Sequence, residues 1–291
     1  MQLVLHTGAH FTEEERLMKC LLRNKGDFSQ RGIAVPGPGR YRRMMREMLN
    51  ALGDAEPEPQ SREVLLDSIV DDDNADRVIL SHAHLFGVPR ASVRNGVLYP
   101  RAVERLQQLV RIFPDDDLEL FMAIRNPASF LPAVFGKSPE ADMIGFLDGV
   151  DPRDVLWSDL FSRIRDALPQ VSITLWCNED SPLIWGQIIR ELAGLEHGAK
   201  VIGSFDLLSE IMSRDGMRRF RAYLKSHPVM NEMQKRRVMA AFLDKFALEG
   251  EIEEELDLPG WTEELVEDMT EIYDEDVLTL QRIPDLVLIS P

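Results

Sequence analysis

The chain is expected to be an α/β protein, a three-layer fold with a parallel sheet between helices and an all-helical C-terminal part. Two observations predict the sheet. Five short, continuously apolar runs recur through the first 180 residues, and each is followed by a segment with helical spacing of apolar residues. Strands apolar on both sides, rather than alternating, belong to sheets buried on both faces. A third observation bounds the sheet: after residue 181 the helical patterns continue and no further strong strand appears.

The expected strands are residues 2–5, 33–35, 77–81, 118–124 and 171–176. The expected helices between them are 13–30, 40–52, 60–70, 100–112, 127–136 and 154–168. An apolar-striped helix over 182–194 ends at Gly194, a residue suited to a C-cap. Helices over 204–226, 229–248 and 261–281 then form an annex. This divides the chain into a core, 1–200, and a helical part, 201–291, packed on it. Acidic, proline-containing or asparagine-containing stretches at 54–60, 71–76 and 114–117 read as surface turns.

The charge balance excludes some functions. There are 33 basic and 50 acidic side chains, a net charge of −17, so nucleic acid is not an expected partner. Residues 249–276 hold 14 Asp and Glu and no Lys or Arg. They read as a solvated helical face, or as a docking surface for a basic protein partner. No apolar run approaches a membrane span, and residue 2 already begins a core strand, so no leader is expected and a cytoplasmic location is. Cys20 and Cys177 are isolated, which fits a reducing compartment, and no metal site is expected.

The first sixteen residues, MQLVLHTGAHFTEEER, carry the most chemistry. A strand leads into the small-residue turn Thr7-Gly8-Ala9. Thr12 then reads as a helix N-cap, with Glu13, Glu14 and Glu15 in the first turn. Free N–H groups and the helix dipole make such a turn the usual place for a phosphate. Here three glutamates stand in it.

The segment resembles the 5′-phosphosulfate loop of the sulfotransferase family, which uses 3′-phosphoadenosine 5′-phosphosulfate (PAPS). Bacterial members often carry HIGxHKTGTT at this place, and His6, Gly8, His10 and Thr12 fall in register with it. The resemblance continues along most of the chain. Gly32-Ile33-Ala34-Val35-Pro36 is similar to the family's second strand, and VILSHAH at 78–84 to the strand that supplies acceptor-side residues. Ala123-Ile124-Arg125-Asn126-Pro127 is similar to the "lRdP" motif of the 3′-phosphate site, and ITLWCNED at 173–180 to the late strand and its acidic turn. The resemblance implies a P-loop sulfotransferase type of fold. It also implies a PAPS or PAP site at Thr7, Gly8, His10, Thr12 and Arg125.

Departures from the family pattern bear on function. Phe11 stands where the family has its loop lysine, and Glu13 replaces a glycine. Glu14 and Glu15 replace two hydroxyl residues, and Ala133 replaces the serine that pairs with the motif arginine. Losing such an electrostatic stabiliser costs on the order of 100- to 1000-fold in rate. Each carboxylate about 4 Å from a phosphate charge adds repulsion of about 1 kcal/mol in water and about 4 kcal/mol at a protein surface. Arg40, Arg42, Arg43 and Arg46 form the most basic local cluster and offer an alternative grip on an anion, with Arg40 and Arg43 counted among the cofactor candidates. His82 and His84, two apart on an expected strand end, face one side and are candidate bases for an acceptor hydroxyl. Both could equally be a polar strand end.

Two functions follow from the resemblance. One is a sulfotransferase-family protein with a degraded donor site that serves as a non-catalytic binding or regulatory module. The other is an active PAPS-dependent transferase acting on a hydroxyl or amine, with His82 or His84 as base. A crevice that takes a less anionic or a cationic ligand is a third, weaker reading.

Overall fold

In a computed structural model the described residues are 1–13, 15–71, 75–252 and 258–291. Eight strands occur among them: β1 (Gln2–His6), β2 (Ile33–Ala34), β3 (Arg77–Ser81), β4 (Val93–Arg94), β5 (Val97–Leu98), β6 (Asp117–Ile124), β7 (Ser172–Cys177) and β8 (Leu286–Ile289). Six form one sheet in the order β2-β3-β1-β6-β7-β8, and every pairing in it is parallel. All five expected strands are present within a residue or two of their expected bounds.

Alternation along each strand sends side chains into two separate cores. Leu3, Leu5, Val78, Leu80, Leu120, Met122, Ile173 and Leu175 pack on one face, under the helices Pro38–Leu52, Ser61–Ile69, Ala102–Ile112, Pro127–Phe135, Trp157–Ala167 and Glu263–Leu280. Val4, Ile79, Phe121, Ala123 and Trp176 pack on the other, under Arg16–Arg23 and Ser181–Leu192. This is the three-layer α/β arrangement.

Four expectations need correction. The first helix begins at Arg16, not at 13, and Thr12 does not cap it, because its hydroxyl donates to the Ala9 carbonyl at 2.8 Å. That helix also breaks at Asn24. The buried Asn24 amide donates to the Cys20 and Ile202 carbonyls, and its oxygen accepts from Ile202 N–H, so it serves a distant segment instead of a continuing helix. The helix expected over 204–226 is two, Asp206–Ile211 and Arg214–Ser226, because Met212 is extended and bridges to Ala247. The C-terminal part is not wholly helical: β8 enters the main sheet beside β7, and Arg165 donates to the Asp285 carbonyl just before it.

Within 201–291, a small third core of Leu208, Met212, Met217, Phe220 and Met239 holds the helices Asp206–Ile211, Arg214–Ser226 and Glu232–Phe246 together. Glu263–Leu280 instead packs on the main domain. Its Asp276 is buried and accepts from the backbone N–H groups of Trp157 and Ser158, capping Trp157–Ala167 from another helix. Glu263, Glu264, Glu267, Glu271, Asp274 and Glu275 on the same helix are exposed, a solvated acidic face. The rest of the acidic run, 253–257, lies outside the described residues. No described helix is long and apolar enough to cross a membrane.

Candidate functional site

The sheet order reverses between β1 and β6: the chain leaves β1 toward β2 on one side and leaves β6 toward β7 on the other. In open parallel sheets, ligands sit beyond the strand ends at such a point. Here the two loops that flank it are joined to each other. Thr7 N–H donates to Phe121 O at 3.1 Å, Ala9 N–H to Ala123 O at 2.8 Å, and Ala123 N–H to Gly8 O at 2.7 Å, so pairing with β6 continues past the end of β1. Gly8 has φ +99°, a conformation that a side chain would strain, and it lies close to Ala83. Arg125 closes the next step, donating from Nη1 to Phe11 O at 2.6 Å and from Nε to Ser129 Oγ at 2.9 Å.

Side chains fill the same turn. Glu13 is 3% exposed, and its Oε1 lies 2.6 Å from His6 Nε2. His6 Nδ1 is 2.9 Å from Ser81 Oγ, and the His6 ring stacks on Trp176. Glu13 thus turns inward, against the His6 ring at the end of β1. Glu15 turns outward and holds the Arg42 guanidinium with both oxygens, at 2.7 and 3.2 Å. Glu14 lies outside the described residues. Thr7 Oγ1 and Glu13 Oε2 are buried with no hydrogen-bond partner among the described atoms.

The second histidine-bearing segment leaves β3 at Ser81 and turns at once, so His82 and His84 do not share a strand face. The Tyr41 hydroxyl donates to Ser81 O and accepts from Ser81 N–H, and this anchors the strand end. His82 is buried: Nδ1 accepts from His84 N–H at 3.3 Å, and Nε2, which therefore carries the proton, donates to Arg42 O at 3.2 Å. Burial, and then the Arg42 cation, lower its pKa to about 4. Both ring nitrogens have structural partners.

His84 is exposed and ends a chain of polar contacts from the core. The Tyr99 hydroxyl accepts from His10 N–H at 3.0 Å and donates to His10 Nδ1 at 2.8 Å, leaving the His10 proton on Nε2. That nitrogen donates to His84 Nδ1 at 3.1 Å. Burial, and then the neighbouring His84, lower the His10 pKa to about 4. Tyr99, absent from the sequence-derived site, follows an Asn95-Gly96 turn between β4 and β5 whose two central residues have φ of +49° and +70°. Asn-Gly between apolar residues is the strongest short hairpin signal, and it marks this hairpin in the sequence.

Beside His82 and His84 lies a crevice of about 670 Å³, within the range of small-ligand pockets. Among the described residues five arginines line it, Arg42, Arg43, Arg46, Arg101 and Arg105, and no carboxylate does. Leu49, Leu85, Phe86 and Val88 supply an apolar wall. Three of the arginines have carboxylate partners outside the crevice: Arg42 with Glu15, Arg101 with Glu104 and, loosely at 3.8 Å, Arg43 with Glu47. Arg105 has none. It is 5% exposed, and its guanidinium donates to the neutral oxygens of Gln108 at 3.0 Å and of Asn50. Burial pulls its pKa below the usual arginine value.

Of the sequence-derived candidates, Thr7, Gly8, His10, Thr12, Arg125 and His84 come together around the N-terminal turn. Arg43 stands at the neighbouring crevice. Arg40 is elsewhere, paired with Asp71. Glu179 accepts from Asn126 N–H and from the Tyr273 hydroxyl, tying the turn after β6 to the C-terminal helix. No group of His, Cys, Asp and Glu suited to a metal ion occurs among the described residues.

No family model and no curated protein matches this chain. Among solved structures, the crystal structure of retinol dehydratase in complex with androsterone and inactive cofactor PAP aligns over 100% of this chain and 84% of that one. The identity is 12% and the TM-score 0.35, a likeness too distant to carry an argument about family or chemistry.

Proposed function

We propose that this chain is a sulfotransferase-like protein that does not use the sulfate donor and acts as a binding module. One observation carries the reading: the Glu13 carboxylate is buried against His6 inside the turn where the donor's 5′-phosphosulfate would lie. A phosphate brought there meets a buried carboxylate that already occupies His6, and an uncompensated carboxylate about 4 Å away repels each unit of negative charge by about 4 kcal/mol. A helix N-terminus offers at most about 2 kcal/mol in return. Thr7, Ala9 and His10 N–H groups already donate within the protein, and Phe11 supplies no cation. The residues present do not fit PAPS at this turn.

The alternative, PAPS-dependent transfer to a hydroxyl or amine, draws support from the exposed His84 at the crevice mouth. His82 contributes less to that reading, since both its nitrogens are engaged.

Co-crystallisation with millimolar 3′-phosphoadenosine 5′-phosphate (PAP), alongside a melting-temperature titration, tests the proposal. A saturating native-state ligand at about 100 times its Kd adds about 2.7 kcal/mol. The expected result is no nucleotide at residues 6–13. Density for the nucleotide in that turn, with a shift lost in Arg125→Ala, would overturn the proposal and favour the transferase.

A further inference from the structure

A folded protein rarely buries a cation without a counter-charge, because desolvation costs several kcal/mol per ion. Arg105 is such a cation, and the space it lines is open. Its hydrogen-bond acceptor Asn50 stands on the helix Pro38–Leu52, four residues after Arg46, and Arg46 and Arg105 both line the crevice. Arg46 is exposed and has no carboxylate partner among the described residues. With the other three arginines matched by glutamates, Arg46 and Arg105 remain as lining cations of one apolar-walled crevice with no carboxylate ion pair among the described residues.

We propose that this crevice binds a small phosphate monoester with an apolar body. The dianionic head would lie between Arg46 and Arg105, and the body against Leu85, Phe86 and Val88. Two cations lining one crevice match a single dianionic head. Arginine's fixed fork suits tetrahedral oxyanions. The apolar wall gives no benefit to an inorganic ion. The site adjoins the N-terminal turn through His84 but uses none of residues 6–13, so a nucleotide found there would overturn the proposed function and leave this inference standing.

Phenyl phosphate is the probe, titrated calorimetrically at constant ionic strength and above the phosphate's second pKa of about 6. Inorganic phosphate, phenyl sulfate and phenol are the controls. Phenyl phosphate is expected to bind about tenfold or more tightly than any control. Arg46→Ala and Arg105→Met should each weaken it by about tenfold to a hundredfold, the range for a charge-assisted hydrogen bond. Arg105→Met should change the melting temperature of the unliganded protein little, because loss of a buried charge offsets the buried Gln108 oxygen left without its donor. Three results would overturn the inference: no binding of phenyl phosphate at millimolar concentration, equal binding of inorganic phosphate, or binding that Arg46→Ala leaves intact.

Discussion

Two buried arginines stand in different parts of the molecule, and their surroundings differ. Arg77 begins β3. Its Nη1 and Nη2 donate to the Glu119 carboxylate at 2.8 and 2.7 Å, its Nη1 to Gln2 Oε1 at 2.7 Å, and its Nε to Leu192 O at 2.8 Å. Gly194, with φ +62°, follows that helix end and passes within 3.3 Å of the Arg77 side chain, measured from where a Cβ would sit. Charge, donors and packing are all matched there. Arg105 is equally buried but has only the amide oxygens of Gln108 and Asn50, and it borders open space. The first arginine joins the edge of β3 to β1, β6 and a covering helix. The second is held ready with its charge unanswered, which is the arrangement of a binding group rather than a brace.

The comparison can be broken by substitution. Arg77→Met should have the largest effect, a loss of about 3–5 kcal/mol in chemical denaturation, because the half-buried Glu119 and the Leu192 carbonyl are left without their partner. A similar loss on replacing Arg105 would erase the distinction.

Acid should act strongly at the crevice end. His10 and His82 have pKa values of about 4 in the fold against 6.5 for the free side chain. Between those values the unfolded chain binds more protons, so stability rises with pH. Their contribution is complete above pH 6.5 and is lost as pH falls toward 4, by at most about 3 kcal/mol for each histidine. Denaturation midpoints measured from pH 7 to pH 4.5 should fall, and His82→Asn should flatten the slope. An unchanged slope in that variant would mean that His82 titrates normally.

Asn50→Ala should cost about 1–3 kcal/mol, since it leaves an Arg105 donor unsatisfied. A neutral result would mean that solvent already reaches Arg105. The smallest effect belongs to Arg105→Met itself, a change near zero, since loss of a buried charge offsets the Gln108 oxygen left without its donor.

Much of the fold was legible because its signals are local. The apolar runs at 2–5, 77–81 and 118–124 could be read as strands without knowing their neighbours, and Gly194 could be read as the end of its helix. Other features were local and passed over, such as the Asn95-Gly96 hairpin that positions Tyr99. The strand Leu286–Ile289 was not legible in the same way. It is only four residues long, and its exposed Val287 shows that it is an edge, defined by β7 beside it. The His82 and His84 pair was read with strand periodicity, which stops applying once the chain turns at Ser81.

The sequence by itself determined the parallel sheet between two helical layers, the acidic outer helix and the absence of a cation at position 11. Those follow from residue type and spacing along a few turns of chain. Only the tertiary structure decided that Glu13 faces His6 while Glu15 faces Arg42, that Arg125 closes on Phe11, and that Arg105 is buried without a carboxylate. A side chain's electrostatic partner comes from segments tens of residues away, so its role depends on packing that no local pattern encodes.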